Sequence, residues 1–463
     1  IILSELSLAQ SEIVRLNIGD KSTPQNSIYL ELIARFQHYN SNPTNSKDIY
    51  DRSIHSPKSV TFSRDGKKFY IQSLEGYATS VYDSESLKRI KVIHHSFGRA
   101  NSTIFKNNET TVFGYAFMGG PESKNHFKGK PVESCLSHNG KYLWVSYYRR
   151  NFDKNAVSPS AIAIIETEYD SIVRVMPTGP LPKMVASSPN NQYLAVTHWG
   201  DNTVGIIDIS SNNPMDFRYT AHCIIDYQVK NDFDRVVNRD HDCSNCLRGT
   251  IFTPDNKFLL VGKMGGNGIA VISVENFEYL GTIKGVKSNV RHLIIDENVL
   301  YLSTNKTGYV QKTDLKLLLD SFSNSSSKKD FVYKNWTSTY LGPGVRTIAK
   351  AHHSNYLFAA INNSSEIAIL DSKSLSLLGK IKADSYPVGM EVSPNDNYLI
   401  VTSQGRNSAG GNSVMVFEIK NQTPRSALFI HEFTKSQSTF THIRVLLKYE
   451  NLRIIFTTPD IKS

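Results

Sequence analysis

The stretch SPKSVTFSRDGKKFYI (56–71) limits the possible folds more than any other feature, because the chain keeps rewriting it. Its relatives are KPVESCLSHNGKYLWV (130–145), LPKMVASSPNNQYLAV (181–196), LRGTIFTPDNKFLLV (247–261) and YPVGMEVSPNDNYLIV (386–401). Each is a run of β-formers, a polar turn holding Gly, Asn or Asp, and a second run of β-formers, the pattern of two antiparallel strands. Copies begin near Pro57, Pro131, Pro182, Leu247, Val290, Val345 and Pro387. A third run follows in every copy, at 79–83, 161–167, 203–209, 268–274, 308–314, 366–372 and 413–419. A fourth follows in several, as in SIVRVMPTG (171–179), YLGTIKG (279–285) and SLLGKIK (376–382). One such unit cannot bury both faces of its sheet, whereas units stacked around an axis bury both and hide most strand edges. The spacing predicts an all-β chain, a seven-bladed β-propeller of four-stranded antiparallel blades over 55–420.

Closing a ring requires a strand from one terminus to complete a blade at the other. SEIVRLNIG (11–19) reads as a fourth strand without a blade and is expected to pair with the last one. That divides the chain into an N-terminal segment 1–20, a linker or insertion 21–54, the ring, and a C-terminal extension 421–463. An eighth blade from 97–120 or 425–460 is the competing arrangement.

Lysine and arginine number 52 against 42 acidic residues, a net charge of +10 over 463 residues. The excess permits an anionic partner and is equally the surface of an ordinary basic protein. No run of 18 apolar residues spans a bilayer. IILSELSLAQ (1–10) has the look of the end of a secretory signal peptide, with an ordinary first strand as the alternative.

Connection lengths identify a working face. The first-to-second turns are tight, whereas long segments (97–130, 148–160, 198–202, 230–246, 262–267 and 403–412) share the opposite face. Function concentrates in loops held by a rigid scaffold. The second residue of each copy starts the innermost strand at that face: Lys58, Val132, Lys183, Arg248, Arg291, Arg346 and Val388. Five cations on one axis repel one another, and an anion there would relieve the repulsion through charge-assisted hydrogen bonds. The bland alternative pairs each cation with a carbonyl of a neighbouring blade or with Glu133. Tyr147, Tyr148, Arg149, Arg150, His198, Trp199 and Arg406 are expected around the mouth, where aromatic rings and cations could stack on a ligand or serve a protein interface.

NRDHDCSNCLRG (238–249) joins the third copy to the fourth. Cys243 and Cys246 fit a local disulfide, free thiols, a metal site completed by His241 with Cys223 or His222, or a redox pair. The metal reading lacks a second paired-ligand motif, and the redox reading lacks a helix N-terminus. Cys135 falls on an inner strand and reads as buried. No Walker loop, G-x-S-x-G or H-E-x-x-H occurs. No cofactor is expected.

VSPNDNYLIVTS (392–403), SSPNNQYLAVTHWGDNTVGIIDIS (187–210) and NNSSEIAILDSKSL (362–375) resemble the YVTN-repeat propellers, the exported bacterial group that includes YncE-like proteins and lies near the lactonase-type propellers. The resemblance covers about 57–420. It implies a propeller exported to the periplasm or cell surface, and it leaves activity open, because this fold serves enzymes and binders alike. A lactonase-like site would use Glu133 or His292 to activate water and Arg291 to hold an oxyanion. The expectation is a non-catalytic binding or scaffold propeller that takes a small anionic ligand or a partner protein at the basic mouth. The alternatives are a lactonase-like hydrolase and a binder of single-stranded nucleic acid or acidic polymer.

Overall fold

The computed structural model of the chain describes residues 13–22, 28–106, 109, 121–230, 235–406 and 409–421. Seven sheets of four or five strands stand around one axis. Their innermost strands are Pro57–Phe62, Phe127–Ser137, Pro182–Ser187, Leu247–Phe252, Val290–Asp296, Val345–Lys350 and Pro387–Val392, here blades 1 to 7. Each packs against the next, and Pro387–Val392 packs back onto Pro57–Phe62 to close the circle.

The repeated turn explains why the copies fold alike. Its left-handed position is held by Gly66, Asn191, Asn256 and Asp396, at φ of 71°, 56°, 58° and 59°. Gly, Asn and Asp tolerate that conformation best. The hydroxyl that opens the turn accepts the backbone N–H five residues on, Ser188 from Tyr193 at 2.9 Å, Thr253 from Phe258 at 3.0 Å and Ser393 from Tyr398 at 2.9 Å.

Burial then welds the blades. The described residues form seven apolar clusters, one at each blade interface. The seventh interface joins Val60, Phe62 and Phe69 of blade 1 to Ile400, Val414 and Val416 of blade 7. Burying a side chain of this size contributes roughly 1.5–3 kcal/mol.

The closing strand is not 11–19. Ile28–Gln37 pairs antiparallel with Ser413–Asn421 and becomes the fourth strand of blade 7, inside the segment expected as a linker. Its sequence IYLELIARFQ alternates, so Leu30, Leu32, Ala34 and Phe36 face the core. Residues 13–19 instead leave Ile13 59% exposed and run beside blade 7, where the Leu16 N–H donates to Asp384 and the Gly19 N–H to the Leu32 carbonyl. Buried Arg35 ties this corner by pairing with both Asp48 and Asp384. The region expected as a possible eighth blade supplies Ser96–Phe97, which pairs with the first strand of blade 2. The extension 422–463 lies outside the described residues. Among those residues no helix is long and apolar enough to cross a membrane.

Candidate functional site

Every innermost strand carries a register irregularity close to its start, as at Pro57/Val60, Pro182/Met184, Leu247/Thr250, Val290/His292 and Val345/Ile348. An extra residue in one strand bends it and re-aims the side chain there. The re-aimed position is the second of each copy. Lys58, Lys183, Arg248, Arg291 and Arg346 thereby come close enough that Lys58 and Lys183 each feel the field of all three arginines. Blades 7 and 1 approach closely here: a Cβ on Gly389 would lie 2.1 Å from the Lys58 carbonyl oxygen, so only glycine fits there.

The three guanidinium residues are buried, with 7, 8 and 9% exposure for Arg248, Arg291 and Arg346. Burial is the first cause that holds Lys58 and Lys183 well below the usual lysine pKa, and the neighbouring arginines add to it. Two like charges ~10 Å apart at an effective dielectric of ~20 repel by about 1.7 kcal/mol.

The partners are uneven. Among the described residues Arg248 alone of the five forms an ion pair, with Glu133 of blade 2. Lys58 donates to the Gln404 side-chain carbonyl at 2.6 Å. The Lys183 ammonium lies 3.9 Å from the centre of the Tyr148 ring and 5.1 Å from that of Trp199. Arg291 donates to the Met264 sulfur at 3.3 Å. Arg346 lies over Tyr386 at 5.8 Å, and its buried Nε has no hydrogen-bond partner among the described residues.

The peripheral candidates divide. Tyr148 and Trp199 reach the mouth through Lys183. Arg149 pairs with Asp240. Arg406 lies over the same Tyr386 ring as Arg346, at 5.7 Å, and donates to the Asn362 carbonyl at 2.6 Å. Three others do not join them. Tyr147 is fully buried, its hydroxyl 2.8 Å from His95 Nδ1, and buried Arg150 donates to the Lys124 and Ser160 carbonyls. The third is His198. It is fully buried inside blade 3, where Nε2 accepts the Gly179 N–H and Nδ1 meets the Thr203 hydroxyl at 2.8 Å, so it holds the blade together.

Below the ring runs an axial cavity of about 520 Å³, lined in part by Glu133, Cys135, Met184, His292 and Glu391. Cys135 is therefore a lining residue, partly exposed, whose thiol burial pushes up to about 12. Burial, then Arg248 and Arg291, hold the His292 imidazole down to about 4 and so neutral. Burial pushes Glu391 up to about 8, against the Phe62 N–H that donates to it.

Cys243 and Cys246 are joined by a disulfide. That takes both thiolates from the metal reading, and Cys223 donates to the Phe277 carbonyl at 3.1 Å. His222 stands beside Cys223 on the outer strand Arg218–Ile224, and His241 is exposed in the connecting loop. Among the described residues no three His, Cys, Asp or Glu side chains are arranged to hold a metal ion.

Gln404, Met264 and Tyr386 went unrecognised in the sequence, although each sits at a strand end, the first two in loops expected to work. Asp240 was missed within the cysteine loop, and Glu391 at the fifth position of the last copy.

No family model and no curated relative matches the chain. Solved structures do. The β-propeller domain of Myceliophteria thermophila Cps50 (Swd1) is 13% identical with a TM-score of 0.53, covering 82% of this chain and 98% of that domain. Kuenenia stuttgartiensis hydrazine synthase is 13% identical with a TM-score of 0.52, covering 82% and 99%. A chain of the mitotic checkpoint complex is 12% identical with a TM-score of 0.53, covering 83% and 94%. At these identities the likeness is one of architecture, and the chain is a seven-bladed β-propeller.

Proposed function

We propose that the propeller is a non-catalytic binding module that receives an anionic group, free or carried by a partner protein, in the axial mouth. One observation carries this: of five basic side chains converging on the opening, four make no ion pair among the described residues and contact an amide, aromatic faces, a thioether and a tyrosine, with Glu133 reaching Lys58, Arg291 and Arg346 only through its field. A ring built only as glue would pair its charges as Arg248 is paired, because an uncompensated buried charge is costly. The arginine forks suit carboxylate and phosphate oxygens. That one of the similar propellers is a chain of a multi-protein complex agrees with a binding role.

Calorimetric titration with citrate and with tripolyphosphate tests it. Arg291→Ala with Arg346→Ala should abolish binding and leave the circular dichroism spectrum unchanged. Unchanged affinity would remove the mouth from consideration. A single-stranded oligonucleotide that binds with a steep salt slope would favour the polymer alternative, since that slope counts the neutralised phosphates.

YVTN-like membership and export are part of the same reading, supported by the repeat motifs and by the loop disulfide, which suits an oxidising compartment. Native protein alkylated at harvest should carry no label at Cys243 or Cys246. A second reading, lactone hydrolysis, draws on neutral His292 and Glu391 lining one cavity beneath Arg291. Turnover of a lactone panel that disappears in His292→Ala would establish it.

A further inference from the structure

The connection from blade 3 to blade 4 crosses to the neighbourhood of the mouth and places a carboxylate there. Asp240 accepts from the Tyr148 hydroxyl and from the Arg149 guanidinium, both on the second strand of blade 2. Tyr148 is the ring against which the Lys183 ammonium rests at 3.9 Å. Burial raises the Asp240 pKa, and His241, Lys58 and Lys130, all within electrostatic reach, draw it part of the way back down.

The same strap also touches blade 4. Its end is drawn into a tight loop by the Cys243–Cys246 disulfide, and the Met264 N–H donates to the Cys246 carbonyl at 3.3 Å. Met264 is the residue whose sulfur Arg291 contacts. Asn245 Nδ2 donates to Asp226 at 2.9 Å, and the Arg239 N–H to the Asn155 carbonyl at 3.0 Å, so the strap is held at intervals on either side of Asp240. The Asp240 side chain is still 26% exposed, which leaves it open to exchange with another acid.

We infer that Asp240 is a built-in competitor for the mouth, and that the outside ligand is an acidic segment of a partner protein whose carboxylate takes the place of Asp240 on Tyr148 and Arg149. This rests on the anion-binding reading above. A strap carboxylate held by a phenol and a guanidinium shows which chemistry the rim recognises and how it is presented, on an irregular backbone segment. Displacement frees the strap and opens Lys58 and Lys183 to the incoming charge.

The test titrates the intact protein and its Asp240→Asn variant with an aspartate-rich hexapeptide and with citrate. It also follows amide hydrogen exchange of residues 238–246 in the unmodified protein, with and without each probe. The expected result is peptide affinity about tenfold higher in the variant, together with faster exchange of the strap when peptide binds the unmodified protein. Higher affinity without faster exchange would mean that Asp240 acts only through its field, and would overturn displacement. A gain for citrate alone would overturn the peptide assignment. Equal affinities in the two proteins would overturn competition and leave the anion reading standing. No binding to either protein would overturn both. The exchange measurement needs no variant, so a poorly folded Asp240→Asn leaves the inference open to refutation.

Discussion

The Arg291 guanidinium donates to the Met264 thioether at 3.3 Å, a cation resting on one of the poorest acceptors a protein offers. Desolvation, then Arg346 and Arg248, disfavour its charge. A position chosen for stability would not hold an arginine there, so Arg291→Met should stabilise the ligand-free protein. Relief of about 2 kcal/mol corresponds to roughly 2 °C in Tm for a chain of this size. Differential scanning calorimetry in low salt is the check, and added salt should narrow the difference. A variant that melts earlier would show that Arg291 has a structural partner after all.

Arg248 and Glu133 should behave in the opposite sense. Their pair is partly buried, and the Glu133→Gln change leaves the guanidinium without a carboxylate partner among the described residues. Breaking one side of a buried pair typically costs about 3–5 kcal/mol, whereas replacing both partners by apolar groups is often neutral. Urea denaturation of Glu133→Gln, Arg248→Met and the double variant should therefore show two destabilised single variants and a recovered double. Additive losses would mean that the two residues act independently.

The turn chemistry made the fold readable. Gly66, Asn191, Asn256 and Asp396 occupy the left-handed place in successive copies, and their spacing alone counts most of the blades. The five cations could be placed on one axis because they share a position in the repeat. Their partners could not, since Gln404 reaches Lys58 across 346 residues and Met264 reaches Arg291 from the preceding blade. His198 was misplaced because one residue decides between facing the mouth and facing the sheet interior, and Trp199 took the outward place. The closing strand was misread for a similar reason: both 11–19 and Ile28–Gln37 look strand-like, and only packing against Met415 and Phe417 selects the second.

Glu391 should make stability depend on pH. Burial raises its folded-state pKa to about 8, above the unfolded value near 4.5. The folded protein then holds a proton that the unfolded chain has released. That contribution is fully present below about pH 4.5 and is lost as pH rises through about 8. Comparing unfolding free energies across pH 5–9, the difference between the unmodified protein and Glu391→Gln should shift steadily against the unmodified protein as pH rises. Parallel curves would place the Glu391 carboxyl in contact with water.

Anion binding should take up protons. Lys58 and Lys183 are held well below the usual lysine value, first by burial and then by the arginines, so a bound anion must raise both. The bound state therefore holds more protons than the free one, and affinity should increase as pH falls through the free-state lysine pKa values. Titrating citrate at about pH 8, where it is fully ionised, in two buffers of different ionisation enthalpy reads this as a buffer-dependent heat, with an uptake of at most two protons, one for each lysine. Lys58→Met and Lys183→Met should each reduce the uptake. If the observed heat is the same in both buffers, the lysines carry their charge before the ligand arrives, and the ring is far better hydrated than its burial implies.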